Sequence, residues 1–293
     1  MASAATPVPD HLHGLLDDAA LLCPEPPAAA EALARWRRHR EEPFGPLLAC
    51  LLVQDRDLPA VADAAVADAG TEPVGLAVVV TGGAGAVAPA VSWAAGAGLR
   101  LERLELAVRE SDAGDLAPNA RRLVAAVDDL LASGALPDDV RVRVAAPPLH
   151  GADPTASWLD VLDEVAAADH GLTLRADDHG AAELAACIGA ALDRELRFGC
   201  TVLDGPVAAR DASGRLRHGF LNVLLATRAC LDGAAADEVA RVLERTGSEA
   251  WTRPEDAPGL AAARRWFTGA RARSVAEAWD ALTALGTRRG ARP

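Results

Sequence analysis

The feature that most constrains the fold is a regular alternation of strand-like and helix-like segments. Short apolar runs or period-two patterns, both typical of β-strands, occur at residues 47–53, 74–81, 99–108, 140–146, 171–175 and 196–203. A segment with helical periodicity follows each of them after a short connection. Parallel strands joined through such helices form right-handed crossovers, so the alternation predicts an α/β fold with a parallel sheet.

The later part of the sequence determines whether this sheet closes. We interpret residues 249–252 as a degenerate seventh strand and residues 266–272 as an eighth, before a helix over residues 274–285. That count predicts a (β/α)8 TIM-like barrel, and a doubly wound open sheet is the alternative. Charged residues within the predicted strands favour a barrel with arginines at its ends over an open sheet that is covered on both faces.

The sequence predicts three parts of the chain. Residues 1–45 form an N-terminal helical extension, in which helical residues 10–40 lie at the bottom of the barrel. Residues 46–286 form a single barrel domain, and residues 287–293 form a disordered tail. A chain of 293 residues, of which 51% are hydrophobic, is sufficient for the core of one large α/β domain.

The chain has no lysine and no tyrosine, and its 29 basic residues are all arginine. Lysine forms the Schiff base in one class of aldolases, holds the cofactor in pyridoxal phosphate enzymes and binds phosphate in a P-loop. Arginine does not replace it, because the guanidinium stays protonated and is not a nucleophile. These three classes are therefore excluded, and the sequence identifies no cofactor.

Charge and cysteine content limit the partners and the compartment. The net charge of −13 disfavours a nucleic-acid partner. Five scattered cysteines without a CxxC pair are typical of reduced thiols in a cytoplasm, not of a disulfide framework or a zinc site. The first residues lack a signal-peptide pattern, and the apolar runs are too short to span a membrane. We expect a cytoplasmic protein with a small anionic metabolite as its ligand; its oligomeric state stays open.

A glycine-rich turn follows the second predicted strand. Gly82, Gly83 and Gly85 precede a helix, and such a turn presents free backbone N–H groups to a phosphate or carboxylate. The pattern GxGxxA that begins at Gly83, with Glu102 or Glu105 about twenty residues further on, is also a loose form of the dinucleotide-binding fingerprint. An anion cradle, a dinucleotide site and a tight structural turn are the three interpretations.

A charged cluster follows the fifth predicted strand. Arg175, Asp177, Asp178 and His179 lie within five positions, where a barrel places its catalytic side chains. Asp177 or His179 is the candidate base, or a metal ligand together with His150, and Arg175 is the candidate clamp for a substrate carboxylate. In the structural alternative, one of the two aspartates caps the next helix and His179 lies in solvent.

Two polar residues lie at the start of a strongly apolar helix after the sixth predicted strand. His218 and Asn222 are four positions apart and share one face of the helix. They are candidates for hydrogen bonds to a substrate or anion, or for hydrogen bonds to the preceding loop. Cys200, in the strand before them, is expected to be a small buried hydrophobe and not a nucleophile.

Arginines cluster near the end of the chain, among them Arg264, Arg271 and Arg273. We interpret them as a solvated helix face followed by a frayed tail. A local anion site is the alternative interpretation.

Several segments resemble a family of uncharacterised bacterial (β/α)-barrel proteins. They are LLDDAALLCPEPPAAAEAL at residues 15–33, VVVTGGAGA at 78–86, LRFGCTVLDGPVAARD at 196–211, HGFLNVLLA at 218–226 and ARRWFTGARARSVAEAWDAL at 263–282. The corresponding family segments read LIDDAxxFPP, a glycine-rich turn, FKxTAGLHH, HGFLN and GSCSFxEP. The resemblance runs in order over nearly the whole chain and implies a barrel, without an established activity.

The chain departs from that family at the positions with the most reactive side chains. Gly199 stands where the family has a lysine, and Asp204 and Gly205 stand where it has paired histidines. If those residues form the family's site, the resemblance implies that this chain has lost it. The retained Asp17, Asp18, His218 and Asn222 are then expected to be structural and to shape the base of the barrel and the loop after the sixth strand.

Three hypotheses follow for the function. The first is a lyase, isomerase or hydrolase that acts on a small anionic metabolite through carboxylate and imidazole groups. The second is a degenerate, non-catalytic barrel that binds a metabolite or a protein partner. The third is a dinucleotide-dependent oxidoreductase built on an open sheet.

Overall fold

The apolar and alternating segments of the chain form eight parallel strands that close into a barrel. The computed structural model describes residues 7–68, 72–96, 98–109, 116–247 and 257–290. The strands are β1 (Leu16–Asp18), β2 (Leu48–Gln54), β3 (Val74–Val80), β4 (Leu99–Ala107), β5 (Arg141–Ala145), β6 (Gly171–Leu174), β7 (Phe198–Val202), β8 (Ala209–Arg210), β9 (Leu216–Arg217) and β10 (Phe267–Ala272). Around the ring the order is β1-β10-β7-β6-β5-β4-β3-β2, and β8 and β9 form a separate antiparallel pair. The predicted (β/α)8 barrel is confirmed, and the open sheet is wrong because β1 joins the two ends of the sheet.

Helices alternate with the strands. They are α1 (Ala29–Glu41), α2 (Leu58–Ala67), α3 (Val87–Ala94), α4 (Leu116–Ala132), α5 (Ala156–Ala167), α6 (Ala181–Leu192), α7 (Phe220–Leu231), α8 (Ala236–Leu243), α9 (Ala257–Arg264) and α10 (Val275–Gly290). In α4, the apolar Ala120, Leu123 and Val127 recur at helical spacing and are buried, whereas Arg121 and Arg122 are exposed. In the described ranges, no helix combines the length and apolar character needed to cross a membrane.

The ring closes through a strand that the sequence pattern does not predict. β1 pairs with β10 on one side and with β2 on the other, and its three residues are buried. Residues 10–40, expected to be helical, therefore supply a barrel strand in addition to short 3-10 turns and nearly all of α1. Two aspartates in three residues give no apolar strand signal. The predicted eighth strand is confirmed as β10, whereas the predicted strand at residues 249–252 lies outside the described residues.

The interior of the barrel has an apolar side and a charged side. On the apolar side, Cys50 and Leu52 of β2 pack with Ala77 and Val79 of β3. Ala19, which directly follows β1, packs against them. On the charged side, the alternation of β4 places Leu104 and Leu106 in the large apolar core and Arg103 and Glu105 in the interior. Arg103 and Glu105 are almost fully buried. The charged side therefore holds the polar groups available inside the barrel.

Candidate functional site

Five charged side chains from four strands meet inside the barrel, and we call them the interior ion network: Asp17, Arg103, Glu105, Arg143 and Arg271. Arg103 donates to the carboxylate of Asp17 and, through Nε at 3.1 Å, to Oε1 of Glu105. Arg271 donates to Oε2 of Glu105, and Nη1 of Arg143 lies 3.9 Å from Oε1. Because β1 and β4 are not neighbours in the ring, the contact between Arg103 and Asp17 crosses the interior.

Glu105 is the centre of this network and is held as a carboxylate. Burial alone would raise its pKa, but Arg271, Arg103 and Arg143 outweigh burial and hold the pKa of Glu105 well below its usual range. The hydroxyl of Thr173 donates a further hydrogen bond to Oε2 at 3.1 Å. A carboxylate with such a low pKa is a weak base at neutral pH. Glu105 therefore positions cations and does not exchange protons.

The interior ion network contains three guanidinium groups and two carboxylates, so it carries one surplus positive charge. Burial, followed by the neighbouring Arg103, lowers the pKa of Arg143, as expected for a desolvated cation beside another cation. Nε of Arg271 is buried and has no hydrogen-bond partner among the described residues. A surplus charge and an unused donor both favour an anion near Arg271.

Gly199 makes room for one of these arginines. A Cβ at position 199 would overlap Nη1 of Arg143, whose side chain reaches past β6 toward β7. Nη2 of Arg143 donates to the hydroxyl of Thr268 on β10 at 2.7 Å. The glycine that stands at the expected lysine position therefore leaves space that a guanidinium from β5 fills.

Further polar and charged groups lie near the C-terminal ends of β6, β7 and β10 and in the β8–β9 hairpin, and we call this group the C-terminal rim: Asp177, Thr201, Asp204, Arg215 and Arg273. The hydroxyl of Thr201 donates to Oδ1 of Asp177, and Arg215 donates to the backbone carbonyl of Asp177. Arg273 donates to Asp204 through two nitrogens, with Nε at 2.8 Å. The contact with Asp204, and to a smaller extent the charge of Asp177, raises the pKa of Arg273. The rim therefore pairs Asp204 with Arg273, and it holds Asp177 against Thr201 and Arg215.

The predicted catalytic cluster is only partly brought together. Asp177 belongs to the C-terminal rim, whereas Arg175 is paired with Asp178, with Nε and Oδ2 2.6 Å apart. His179 is buried, and its Nε2 accepts the N–H of Leu149 at 2.7 Å. Burial lowers the pKa of His179, so the imidazole is neutral. With Nε2 engaged inside the protein, these contacts do not support His179 as a base or a metal ligand.

The structural alternative, in which an aspartate caps the next helix and His179 lies in solvent, is wrong. The N-cap of α6 is Gly180, and neither Asp177 nor Asp178 caps the helix. Instead Glu183 accepts the backbone N–H of Gly180 at 2.6 Å. His179 does not lie in solvent, because its side chain turns back toward the loop after β5.

The HGFLN segment, residues 218–222, holds the connection between β7 and α7 in place. Nε2 of His218 donates to the carbonyl of His179 at 3.1 Å, and the backbone of Val207 lies where a side chain at Gly219 would project. Asn222 is fully buried, accepts the N–H of Ala208 at 2.7 Å and donates to the carbonyls of residues 242 and 245. These contacts match the loop-bonding interpretation and leave Asn222 no donor for a substrate.

At the glycine-rich turn, an anion from the chain itself occupies the N–H groups. Oδ2 of Asp55, which follows β2, accepts the N–H of Thr81 and of Gly82 at 3.1 Å each. Gly83 has φ +78°, a conformation that favours glycine, and Gly85 has open space around it. The turn is thus held by Asp55, and a phosphate would have to displace a carboxylate. The turn lies on the same rim as Asp177 but on strands across the mouth of the barrel.

Two buried strand thiols, Cys50 and Cys200, supply no nucleophile. Burial raises the pKa of Cys50 to about 12, and it raises the pKa of Cys200 well above its usual value. Both therefore remain thiols, the less reactive form. Within the described ranges, no three His, Cys, Asp or Glu side chains form a group suited to a metal ion.

The interior ion network is the part that the sequence analysis misses. Arginines expected at the barrel ends, Arg103 and Arg143, lie in the interior, and Arg271 lies on an inner strand position instead of a solvated helix face. A signal exists: Arg103 and Glu105 alternate with the leucines of β4, so they share one face of the strand. What the pattern does not contain is the buried carboxylate of Asp17, because β1 itself is not recognised.

Comparison of the chain with family models, with curated proteins and with solved structures finds no match. The resemblance to uncharacterised barrel proteins therefore stays a prediction. Function is inferred from the chain's own residues.

Proposed function

We propose that the C-terminal rim binds a small anionic metabolite and that Asp177 acts on it as a general base, in a lyase, isomerase or hydrolase reaction. The observation that supports this most is the position of the Asp177 carboxylate, which accepts the hydroxyl of Thr201 while Arg215 donates to the backbone carbonyl of the same residue. Arginines can hold the negative charge of a substrate while a nearby carboxylate accepts its proton. Barrels of this type carry their active sites at the C-terminal ends of the strands.

Arg271 is the proposed anchor for the anion. It lies one residue before the C-terminal end of β10, and its side chain is 12% exposed. Glu105 fixes one end of its guanidinium, and Nε has no partner among the described residues. A guanidinium fixed in this way presents its remaining donors as a planar fork, which suits a carboxylate or a phosphate.

Arg215 is the proposed second contact. It lies between β8 and β9, in the hairpin that follows β7, and it donates to the backbone carbonyl of Asp177. The exposed position of Arg215 allows it to turn from this carbonyl to a bound anion. The hairpin would then cover one side of the ligand.

A non-catalytic binding barrel is the second candidate. It is favoured by the inward orientation of the histidines near the rim: His179 accepts a backbone N–H, and His218 donates to a backbone carbonyl. These two imidazoles are therefore engaged by the protein's own backbone and do not face the rim. The dinucleotide hypothesis has less support, because the sheet is closed and Asp55 occupies the turn where a pyrophosphate would bind.

The test starts with a thermal-shift screen of the protein against carboxylic and phosphorylated metabolites, since a ligand that prefers the folded state raises the melting temperature. Turnover of each hit is then followed by NMR. Asp177→Asn is expected to lower turnover by about 10²–10⁴-fold, the usual contribution of a general base. Arg215→Gln is expected to weaken binding about tenfold through loss of a charge-assisted hydrogen bond.

Asp178→Asn is the matched control, because it removes a neighbouring carboxylate that is paired with Arg175 instead of facing Thr201. It should leave turnover within about twofold of the wild-type value. Binding that depends on Arg215 without any turnover would favour the non-catalytic barrel. Equal turnover in the Asp177→Asn variant and the wild type would contradict the role of Asp177.

A further inference from the structure

The opposite, N-terminal end of the barrel contains a cavity of about 410 Å³. It is lined by residues of the N-terminal segment and of α1, and by residues at the starts of several strands. The residues used below are Trp36, Arg40, Arg100, Glu102, Arg141, Arg264 and Thr268. We call this space the N-terminal cavity.

The charges that line the N-terminal cavity are unbalanced. Four arginines face it, but Glu102 is the one carboxylate among its lining residues. Arg100 donates to Glu102 at 2.6 Å, and Arg141 lies 4.0 Å from the other oxygen of the same carboxylate. The lining therefore carries three surplus positive charges, in a chain whose net charge is −13.

The other two arginines are held by backbone carbonyls. Arg40 donates to the carbonyl of Leu48 at 3.2 Å, and Arg264 donates to the carbonyls of His13, Gly14 and Phe267. A carbonyl fixes the guanidinium but supplies no negative charge to neutralise it. Burial, followed by the nearby Arg141, lowers the pKa of Arg264 to about 10, as expected for crowded cations.

Unused donors lie beside these charges. Trp36 is 8% exposed, and neither its ring N–H nor Nε of Arg264 has a hydrogen-bond partner among the described residues. The face of Trp36 is covered by Arg40, whose guanidinium carbon lies 5.6 Å from the ring centroid. An unpaired buried donor costs free energy until an acceptor arrives.

We propose that the N-terminal cavity is a second binding site, for a small anion with two or more negative charges of the phosphate or polycarboxylate class. The ligand would replace the missing carboxylates, and the arginine forks would contact its oxygens. The volume suits a small ligand and not a polymer. This site lies at the opposite end of the barrel from the C-terminal rim and does not depend on the function proposed for that rim.

The experiment is isothermal titration calorimetry of the full chain with inorganic pyrophosphate and, separately, with citrate, at an ionic strength held constant with chloride. The expected result is saturable binding with one site per chain that depends on the cavity arginines. The double variant Arg100→Gln/Arg141→Gln should bind at least tenfold more weakly. Tighter binding of pyrophosphate assigns a phosphate ligand, and tighter binding of citrate assigns a polycarboxylate.

Three further variants separate binding from folding. Glu102→Gln removes the one competing carboxylate and is expected to tighten binding severalfold, an effect that a damaged fold would not produce. Arg241→Gln removes an arginine of α8 with 64% side-chain exposure, close to the 62% of Arg141, and should leave the affinity unchanged. Asp177→Asn should also leave it unchanged, because Asp177 lies at the other end of the barrel.

The proposal is overturned by any of three results. The first is the absence of saturable binding of both anions. The second is equal affinity of the wild type and the Arg100→Gln/Arg141→Gln variant. The third is weaker binding after Glu102→Gln when that variant melts at the wild-type temperature.

Discussion

The two ends of the barrel use arginine in different ways. At the C-terminal end Arg175 and Arg273 contact carboxylates, in the pairs Arg175–Asp178 and Arg273–Asp204, and Arg215 donates to the backbone carbonyl of Asp177. At the N-terminal end four arginines line a cavity that contains a single lining carboxylate, Glu102, and two of them donate to backbone carbonyls. Both ends use arginine, but the positive charge that carboxylates leave unbalanced is larger at the N-terminal end.

This difference shows that the partner of a cation, and not its presence, decides what a surface attracts. A guanidinium paired with a carboxylate is nearly neutral to its surroundings, so an incoming anion must compete with the protein's own acid. A guanidinium fixed by carbonyls keeps its full charge. We therefore expect selective binding at the C-terminal rim and a stronger general attraction for anions at the N-terminal cavity.

The largest effect is expected from breaking the interior ion network that lies between the two ends. Glu105→Gln leaves three buried arginines with Asp17 as their one remaining carboxylate in the network. We expect the free energy of unfolding to fall by about 3–5 kcal/mol, because unpaired buried charges are costly. Urea denaturation at neutral pH measures the change.

Glu164→Gln is the matched control for that variant. Glu164 pairs with Arg121 between two helices on the outside of the barrel, where water screens the charges. Its loss should cost about 0–1 kcal/mol. Equal losses of unfolding free energy in Glu105→Gln and Glu164→Gln would mean that the interior ion network contributes no more to stability than a surface ion pair.

A smaller effect is expected from Gly199→Ala, which fills the space of the Arg143 guanidinium. The added methyl group must displace a buried, hydrogen-bonded side chain, so the free energy of unfolding should fall by about 1–3 kcal/mol. In the control Gly189→Ala, the methyl group meets open space within α6 and should instead stabilise the protein by about 0.5–1 kcal/mol. A neutral Gly199→Ala would show that Arg143 has free room to move.

The pH dependence of stability provides a third test of the network. The pKa of Glu105 is lower in the folded protein than in the unfolded chain, so the unfolded chain takes up a proton first as the pH falls. Stability from this group is complete above about pH 4.5 and is lost below it, by at most about 1.4 kcal/mol per pH unit. Urea midpoints between pH 7 and pH 3 should therefore fall more steeply in the wild type than in Glu105→Gln. Parallel curves would contradict an ionised Glu105.

The smallest effect is expected from the Arg175–Asp178 pair, next to the C-terminal rim. Arg175→Gln removes a pair in which Arg175 is 45% exposed and Asp178 is 33% exposed. We expect a change in the free energy of unfolding below about 1 kcal/mol, measured by the same urea titration. A loss as large as that of Glu105→Gln would mean that the rim pairs are structural, and the contrast with the interior would disappear.

The sequence predicts the parts of this molecule that depend on local pattern. Alternating apolar and polar residues identify β2 to β7 and β10, and together with the intervening helices they predict the barrel. Contacts between distant segments are not encoded in such patterns. β1 is too short and too acidic to be recognised, and Asp17 becomes interpretable when Arg103 is seen opposite it.

The site follows the same rule. Asp177 could be predicted because it follows a strand end, where side chains face the mouth of a barrel. The inward turn of His179 could not, since it depends on a backbone N–H thirty residues earlier, at Leu149. The role of Asp55 at the glycine turn likewise depends on β2 and β3 being neighbours.

Closure by β1 has a consequence for the order in which this protein assembles. During synthesis β1 and β2 emerge before β10. β1 still lacks its second neighbour at that point, because it pairs with β10 in the register Asp17 to Arg271. Until β10 leaves the ribosome, the nascent sheet keeps open edges that are prone to wrong pairing. The interior ion network is then completed only after β10 is made, because Glu105 on β4 waits for Arg271.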